Sequence, residues 1–322
     1  MSAAESTRPN IAHGSGQMRA QSFSIQVSTR DKCNAGCKFC ISRTTPGTES
    51  LENPRNIQTC DIPRLRVGLS YAKHLGATHT ILTSRADPTQ EEDHYLTRLA
   101  ELSRGYLPLC DMHTNGFLLH QGRPKEHLLK RLADAGLTHI TFSIASVDAQ
   151  RNQELMIVKQ SALDLIPRAV DLGLLVRASL VINGEGVRDV HGIMNYIQTV
   201  GNLGAHMVVI REVWIPEVYG QFSKGVFEWN TSNRVDIGKL QEEFFTIAQD
   251  KSNRYGLQLK DPLPWGTPVF VVGGNFHDSQ HGVNVTFARC EEANVGLVMK
   301  SIVHKPNGHG YRNWDHNGDI LY

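Results

Sequence analysis

Arg30-Asp31-Lys32-Cys33-Asn34-Ala35-Gly36-Cys37-Lys38-Phe39-Cys40 places three thiols in one short loop at C-x3-C-x2-C spacing. Such a loop can wrap three thiolates around one corner of an iron–sulfur cube. A [4Fe–4S] cluster normally takes four cysteines, so three leave one iron open to a non-protein ligand. An electron carrier has no use for an open iron, whereas a catalyst does. A structural zinc site would want a fourth Cys or His nearby, and Cys60 and His74 fit no zinc-ribbon spacing. Six cysteines in 322 residues, with no apolar leader visible, also do not read as a disulfide framework.

Composition narrows the class further. Thirty-three basic residues against 32 acidic ones leave no electrostatic reason to expect nucleic acid or an acidic membrane surface as partner. No apolar run approaches the ~18 residues of a membrane span. Residues 1–20 are polar and rich in Gly and Ser, and read as a disordered tail. A cytoplasmic protein with reduced thiols is the expectation.

Working outward from the cysteines, strand-like and helix-like segments alternate. Phe23, Ile25 and Val27 alternate with polar residues up to the cysteine loop, as a half-buried strand does. The spacing predicts a helix over 62–75 stopped by Gly76, with further helices over 91–104, 124–135, 163–172 and 190–203. Strands are predicted over 78–83, 107–114, 138–143, 174–182 and 207–213. Six strands with helices between them imply parallel pairing. After residue 216 the pattern changes to a helix over 235–254, a Pro-rich stretch over 262–268, and short apolar runs over 269–272, 283–288 and 295–303. The expected layout is a barrel over 21–215 and a small β-rich appendage over 216–322 that covers its mouth.

The cysteine spacing, the aromatic Phe39 just before the third cysteine, and the six βα units that follow resemble the radical S-adenosylmethionine (radical SAM) superfamily. The resemblance covers roughly residues 21–215. It implies an open (β/α)6 partial TIM-type barrel with its chemistry at the C-terminal strand ends. It implies a [4Fe–4S] cluster held by Cys33, Cys37 and Cys40, whose open iron is chelated by SAM. An electron from the cluster then cleaves SAM to methionine and a 5′-deoxyadenosyl radical, which abstracts a hydrogen atom from the substrate.

The other strand ends should then meet SAM. Where the family carries Gly-Gly-Glu-Pro after its second strand, this chain has Thr83-Ser84-Arg85-Ala86-Asp87-Pro88. Asp87 stands in the place of the glutamate, while the glycines are missing. His113-Thr114-Asn115-Gly116 resembles the family's Thr-Asn-Gly run. Ser143 and Ser146 close the fourth strand, and Asn183 the fifth. Arg177 interrupts an apolar strand and needs a partner there, which either the SAM carboxylate or a salt bridge inside the barrel supplies. Each of the others has a plainer reading as a turn or cap residue.

The expected function is hydrogen-atom abstraction from a small-molecule substrate, leading to epimerisation, elimination, rearrangement or cyclisation. An external one-electron reductant such as flavodoxin or ferredoxin would feed the cluster. Cys290 is the one thiol after the barrel and a candidate hydrogen-atom donor, or else a packed core residue. A single thiol there makes an auxiliary cluster unexpected. His277 and His281 read as loop histidines. Two other classes are an activase acting on a protein or peptide partner and a non-catalytic iron–sulfur electron-transfer protein.

Overall fold

The computed structural model describes residues 18–30, 32–43, 59–215, 224–263, 266–273, 282–289, 298–312, 314 and 320–322. From β1 (Arg19–Gln26) the chain runs through α1 (Ile62–His74), β2 (His79–Thr83), α2 (Asp93–Tyr106), β3 (Leu109–Thr114), α3 (Leu128–Asp134) and β4 (His139–Ser143). It continues through α4 (Ala149–Met156), α5 (Ile166–Asp171), β5 (Leu175–Val181), α6 (Val190–Asn202) and β6 (Met207–Arg211). The last third adds α7 (Lys224–Ser232), α8 (Ile237–Gln249), β7 (Leu257–Lys260), β8 (Val269–Val272), β9 (Val283–Ala288), β10 (Val298–His304) and β11 (Gly310–Tyr311).

Local chemistry accounts for where these elements begin and end. In α6 the apolar residues Ile193, Met194, Ile197 and Val200 recur on one buried face, and Asp189 caps the helix by accepting the Gly192 N–H at 2.8 Å. The helix expected over 124–135 starts only at Leu128, because residues 124–127 form turns, with Lys125 N bonded to Leu118 O and Glu126 N to Arg123 O. The helix expected from 163 is a 3-10 turn up to Leu165 and α-helix from Ile166, with Pro167 in its first turn. The helix expected over 235–254 is bounded by its cap Asp236 and by Asp250, which accepts from the N–H and hydroxyl of Ser252.

The six expected strands form the centre of one open, eleven-stranded sheet ordered β11-β10-β1-β2-β3-β4-β5-β6-β9-β8-β7. β1 to β6 pair in parallel in chain order. The C-terminal strands join this same sheet at its two flanks: β10 lies parallel to β1 and β9 parallel to β6. Antiparallel β11 and the β8–β7 pair lie outside them.

The two faces of the sheet differ sharply. Cys110 and Met112 of β3, Ile140 and Phe142 of β4, and Val176, Ala178 and Leu180 of β5 are fully buried in one core with Leu65, Leu69, Leu96, Leu99, Ile193 and Ile197 from the helices. Side chains alternate along a strand, so the other positions form a bore, and most of these are polar. The mouth-side layer pairs Ser143 with Ser179 and Val209. The next layer down pairs His113, Thr141, Arg177 and Met207, and beneath it lie Ile81, Asp111, His139 and Leu175.

Gly116 ends the turn after β3 with φ +75°, a region that costs an L side chain ~1–2 kcal/mol. A Cβ there would also stand 2.9 Å from Ala162 Cβ and Leu165 Cδ1. Gly116→Ala is expected to destabilise the fold by about 2–3 kcal/mol once overpacking is added. A fall in the denaturant midpoint checks this, and an unchanged midpoint would refute the tight-turn account.

Candidate functional site

The cysteine loop leaves the C-terminal end of β1 and is tied to the ends of three other units. Gln90, beyond β2, donates from Nε2 to Lys32 O at 3.1 Å, and its Oε1 accepts the Asn34 N–H at 3.1 Å. Asn115, beyond β3, donates from Nδ2 to Asn34 Oδ1 at 2.7 Å and lies 3.9 Å from Cys33 Sγ. The last two residues of α4 accept from the loop as well: Gly36 N donates to Met156 O (3.1 Å) and Lys38 N to Leu155 O (2.9 Å). Carbonyls at a helix C-terminus have no partner within the helix, so the loop caps α4 while α4 holds the loop. A Cβ on Gly36 would stand 3.3 Å from the Ile157 side chain, so the approach suits glycine.

An apolar cushion lies under the thiols. Ala145, Leu155, Met156 and Val158 are buried there, with Ala35, Cys37, Phe39, Phe117 and Trp229 packed against them. The Phe39 and Trp229 rings sit 6.3 Å apart. Glu185 accepts from Lys38 Nζ and from Trp229 Nε1, both at 2.8 Å, and so clips α7 to the loop.

Cys33, Cys37 and Cys40 are unbridged and partly exposed. Burial pushes the Cys33 and Cys37 thiols up, and the neighbouring thiols add to the shift. Thiolates at this place therefore need a compensating cation. Ala35 N–H is aimed at Cys33 Sγ from 3.4 Å, the kind of hydrogen bond that metal-bound sulfur accepts. Among the described residues, no three His, Cys, Asp or Glu side chains form a group able to hold one metal ion. A cube asks for something different, because each cysteine takes its own iron. The donor set fits a [4Fe–4S] cluster.

Asp87 lies beside this loop, fully enclosed. Its carboxylate accepts from Thr89 N (3.0 Å), Thr89 Oγ1 (2.5 Å), Thr114 Oγ1 (2.9 Å) and Asn115 N (2.6 Å). These bonds lock the ends of β2 and β3 together, and its oxygens face the protein rather than the bore. Burial pushes its pKa up despite those donors.

The remaining candidates are spread around the rim. Ser84 Oγ donates to Ser28 O at 3.2 Å. Ser143 stands in the mouth-side layer. Ser146 Oγ accepts the Asp148 N–H (3.1 Å) in the turn that opens α4. Asn183 is buried and donates from Nδ2 to Val181 O (2.9 Å). Cys290, His277 and His281 lie outside the described residues.

Arg177 sits one layer below the mouth. Its Nη1 donates to Asp111 Oδ2 at 3.0 Å and reaches Thr141 Oγ1 at 3.5 Å. The same Oδ2 bonds His113 Nε2 at 3.2 Å, and the Thr141 hydroxyl donates to both oxygens of Asp111. Burial alone would raise the pKa of Asp111, but His113 and Arg177 beside it hold it well below the usual carboxylate range. The His79 and His139 rings lie 5.2 Å apart, and burial lowers both, His79 to about 4.

Sequence reasoning missed Gln90, Asn34, Trp229, Glu185 and the whole of α4 as loop supports. An Asp148 cap ahead of Leu155 and Met156 was the available sign of α4.

Residues 27–197, just over half of the chain, match the model of the Radical SAM superfamily. A "Probable GTP 3',8-cyclase" of Sulfurisphaera tokodaii is 23% identical over 261 residues, which cover 78% of this chain and 76% of that protein. The GTP 3',8-cyclase of Aquifex aeolicus is 27% identical over 183 residues, 55% of this chain and 53% of the relative. Among solved structures, Streptococcus suis SuiB bound to S-adenosylmethionine superposes with TM-score 0.58 at 14% identity, over 94% of this chain and 63% of SuiB. SuiB bound to precursor peptide SuiA gives TM-score 0.60 at 13% identity, over 94% and 62%. At such identities the likeness is one of fold, and the chain spans less than two thirds of SuiB and about half of the Aquifex relative.

Proposed function

This chain belongs to the radical SAM superfamily of enzymes, and we propose that it removes a hydrogen atom from a carbon of a polar small molecule held in the bore. The observation that carries this reading is the cysteine loop, braced at the C-terminal strand ends above a hydrogen-bonding interior. When bound, the cluster supplies single electrons and SAM supplies the adenosyl carbon that takes up the hydrogen.

Cys33, Cys37 and Cys40 would hold the cluster by three of its irons, leaving the fourth to SAM. Phe39, tilted against Trp229, forms an apolar wall that keeps water from the loop. Asn115 fixes the loop through Asn34, and Asp87 fixes Asn115. Ser84, Ser143, Ser146 and Asn183 are the rim groups that would meet the polar parts of SAM. Lys32 and Arg43, both exposed at the loop, suit an acidic one-electron carrier of the flavodoxin or ferredoxin kind. The names of the curated relatives support a small-molecule substrate over a peptide, and the substrate decides whether the outcome is epimerisation, elimination, rearrangement or cyclisation.

Anaerobic reconstitution with iron and sulfide, followed by dithionite and SAM, tests the reading. Release of methionine and 5′-deoxyadenosine by the wild type, and not by Cys37→Ala, is the expected result. A protein that holds its cluster and passes electrons but leaves SAM intact would be an iron–sulfur carrier instead.

A further inference from the structure

Asp111 is 0% exposed at its side chain, whereas the two groups clasped to it, Arg177 and His113, remain 22% and 24% exposed. Both bond the same oxygen, Oδ2. A buried carboxylate thus fixes two nitrogen-bearing side chains whose other edges are left open. In Arg177 only Nη1 has a hydrogen-bond partner among the described residues, so Nε and Nη2 present a planar pair of donors. In His113 the carboxylate takes the Nε2–H, which leaves Nδ1 with no hydrogen-bond partner among the described residues.

The place of this pair in the fold is equally specific. His113, Thr141 and Arg177 are neighbours in one layer of the bore. Asn115, which touches the cysteine loop, follows His113 by two residues just beyond the mouth end of β3. A molecule of metabolite size whose one end sits on this layer has its remainder at the level of Ser143, Ser179 and the cysteines.

We propose that Arg177 and His113, held by Asp111, form the substrate's anchoring site, which takes an oxyanion — a carboxylate or a phosphate group — and so points the rest of the substrate at the strand ends. A guanidinium edge matches two oxygens of either group, and its bonds are charge-assisted. The proposal rests on the radical SAM reading, and it removes Arg177 from the set that holds SAM.

The test uses the full chain, reconstituted anaerobically, with calorimetric titration of succinate as the carboxylate probe and glycerol 3-phosphate as the phosphate probe. Wild type is expected to bind one of them, which identifies the oxyanion. Arg177→Gln and His113→Ala should each weaken that binding roughly tenfold or more, the loss expected for a hydrogen bond to a charged group. Arg177→Lys should fall nearly as far, since an ammonium lacks the planar fork. SAM binding in the same samples should stay at the wild-type level, which also reports that the variants fold. His113→Ala leaves the Arg177–Asp111 pair intact and keeps the test open if Arg177→Gln does not fold. Wild type that takes neither probe, Arg177→Gln that binds as wild type, or Arg177→Gln that loses SAM would each overturn the proposal. A wild type unable to cleave SAM strikes at the radical SAM reading instead.

Discussion

Replacing Cys33, Cys37 and Cys40 together by Ala is expected to take the reconstituted protein from about four irons per chain to none, with loss of its brown colour. The effect is all-or-none, because among the described residues of the loop the thiols are the only groups that bind iron. The loop itself should survive. Its anchors are backbone and amide groups, through Gln90, Asn115 and the carbonyls of Leu155 and Met156, so the triple variant is expected to unfold at nearly the wild-type denaturant concentration. Iron and sulfide analysis decides the matter. Close to eight irons in the wild type, or iron kept by the triple variant, would point to a second cluster and sink the single-cluster assignment. Exposure to air should bleach the wild type, since an iron that is open to SAM is open to oxygen as well.

The second large effect lies in the bore. Asp111→Ala removes the carboxylate that Arg177, His113 and Thr141 share, leaving a partly enclosed guanidinium with no counter-charge. Breaking a buried pair from one side costs about 3–5 kcal/mol, so the variant should lose that much stability in denaturant titrations at neutral pH. The wild type should show the matching pH dependence. The folded-state pKa of Asp111 is depressed, so its contribution is full above the unfolded value of about 4. It fades as pH falls below that toward the depressed folded value. In Asp111→Ala that part of the acid dependence should be missing. A variant as stable as wild type would show that the four groups are solvated in place rather than mutually held.

Much of the barrel could be read from the chain because its outward faces are apolar at regular intervals. Ile193, Met194, Ile197 and Val200 announce α6, and the alternation of Phe23 and Ile25 announces β1. The cysteine loop was legible for a different reason, since metal ligands must keep their spacing whatever surrounds them. What escaped was set by long-range pairing. α4 is eight residues long and buries few apolar side chains, so its periodicity is weak and its value lies in the carbonyls it lends to a loop over a hundred residues earlier. The run at β10 read as a strand, but nothing in it says that its neighbour is β1. Arg177 was legible as a charge that needs a partner. Which partner depends on Asp111 lying two strands away in the same bore, and only the sheet register shows that.

The pairing of β1 with β10 bears on how the protein is made. Ser22 and Ser24 bond to Lys300 and Ser301 across 278 and 277 positions of sequence, so the strand that leads into the cysteines stays half-paired until β10 has left the ribosome. Contacts this distant are late and slow to form. Metal loading is then expected to follow the emergence of β10, with the thiols exposed in the meantime. A ribosome-bound chain arrested before residue 298 should therefore take up no cluster.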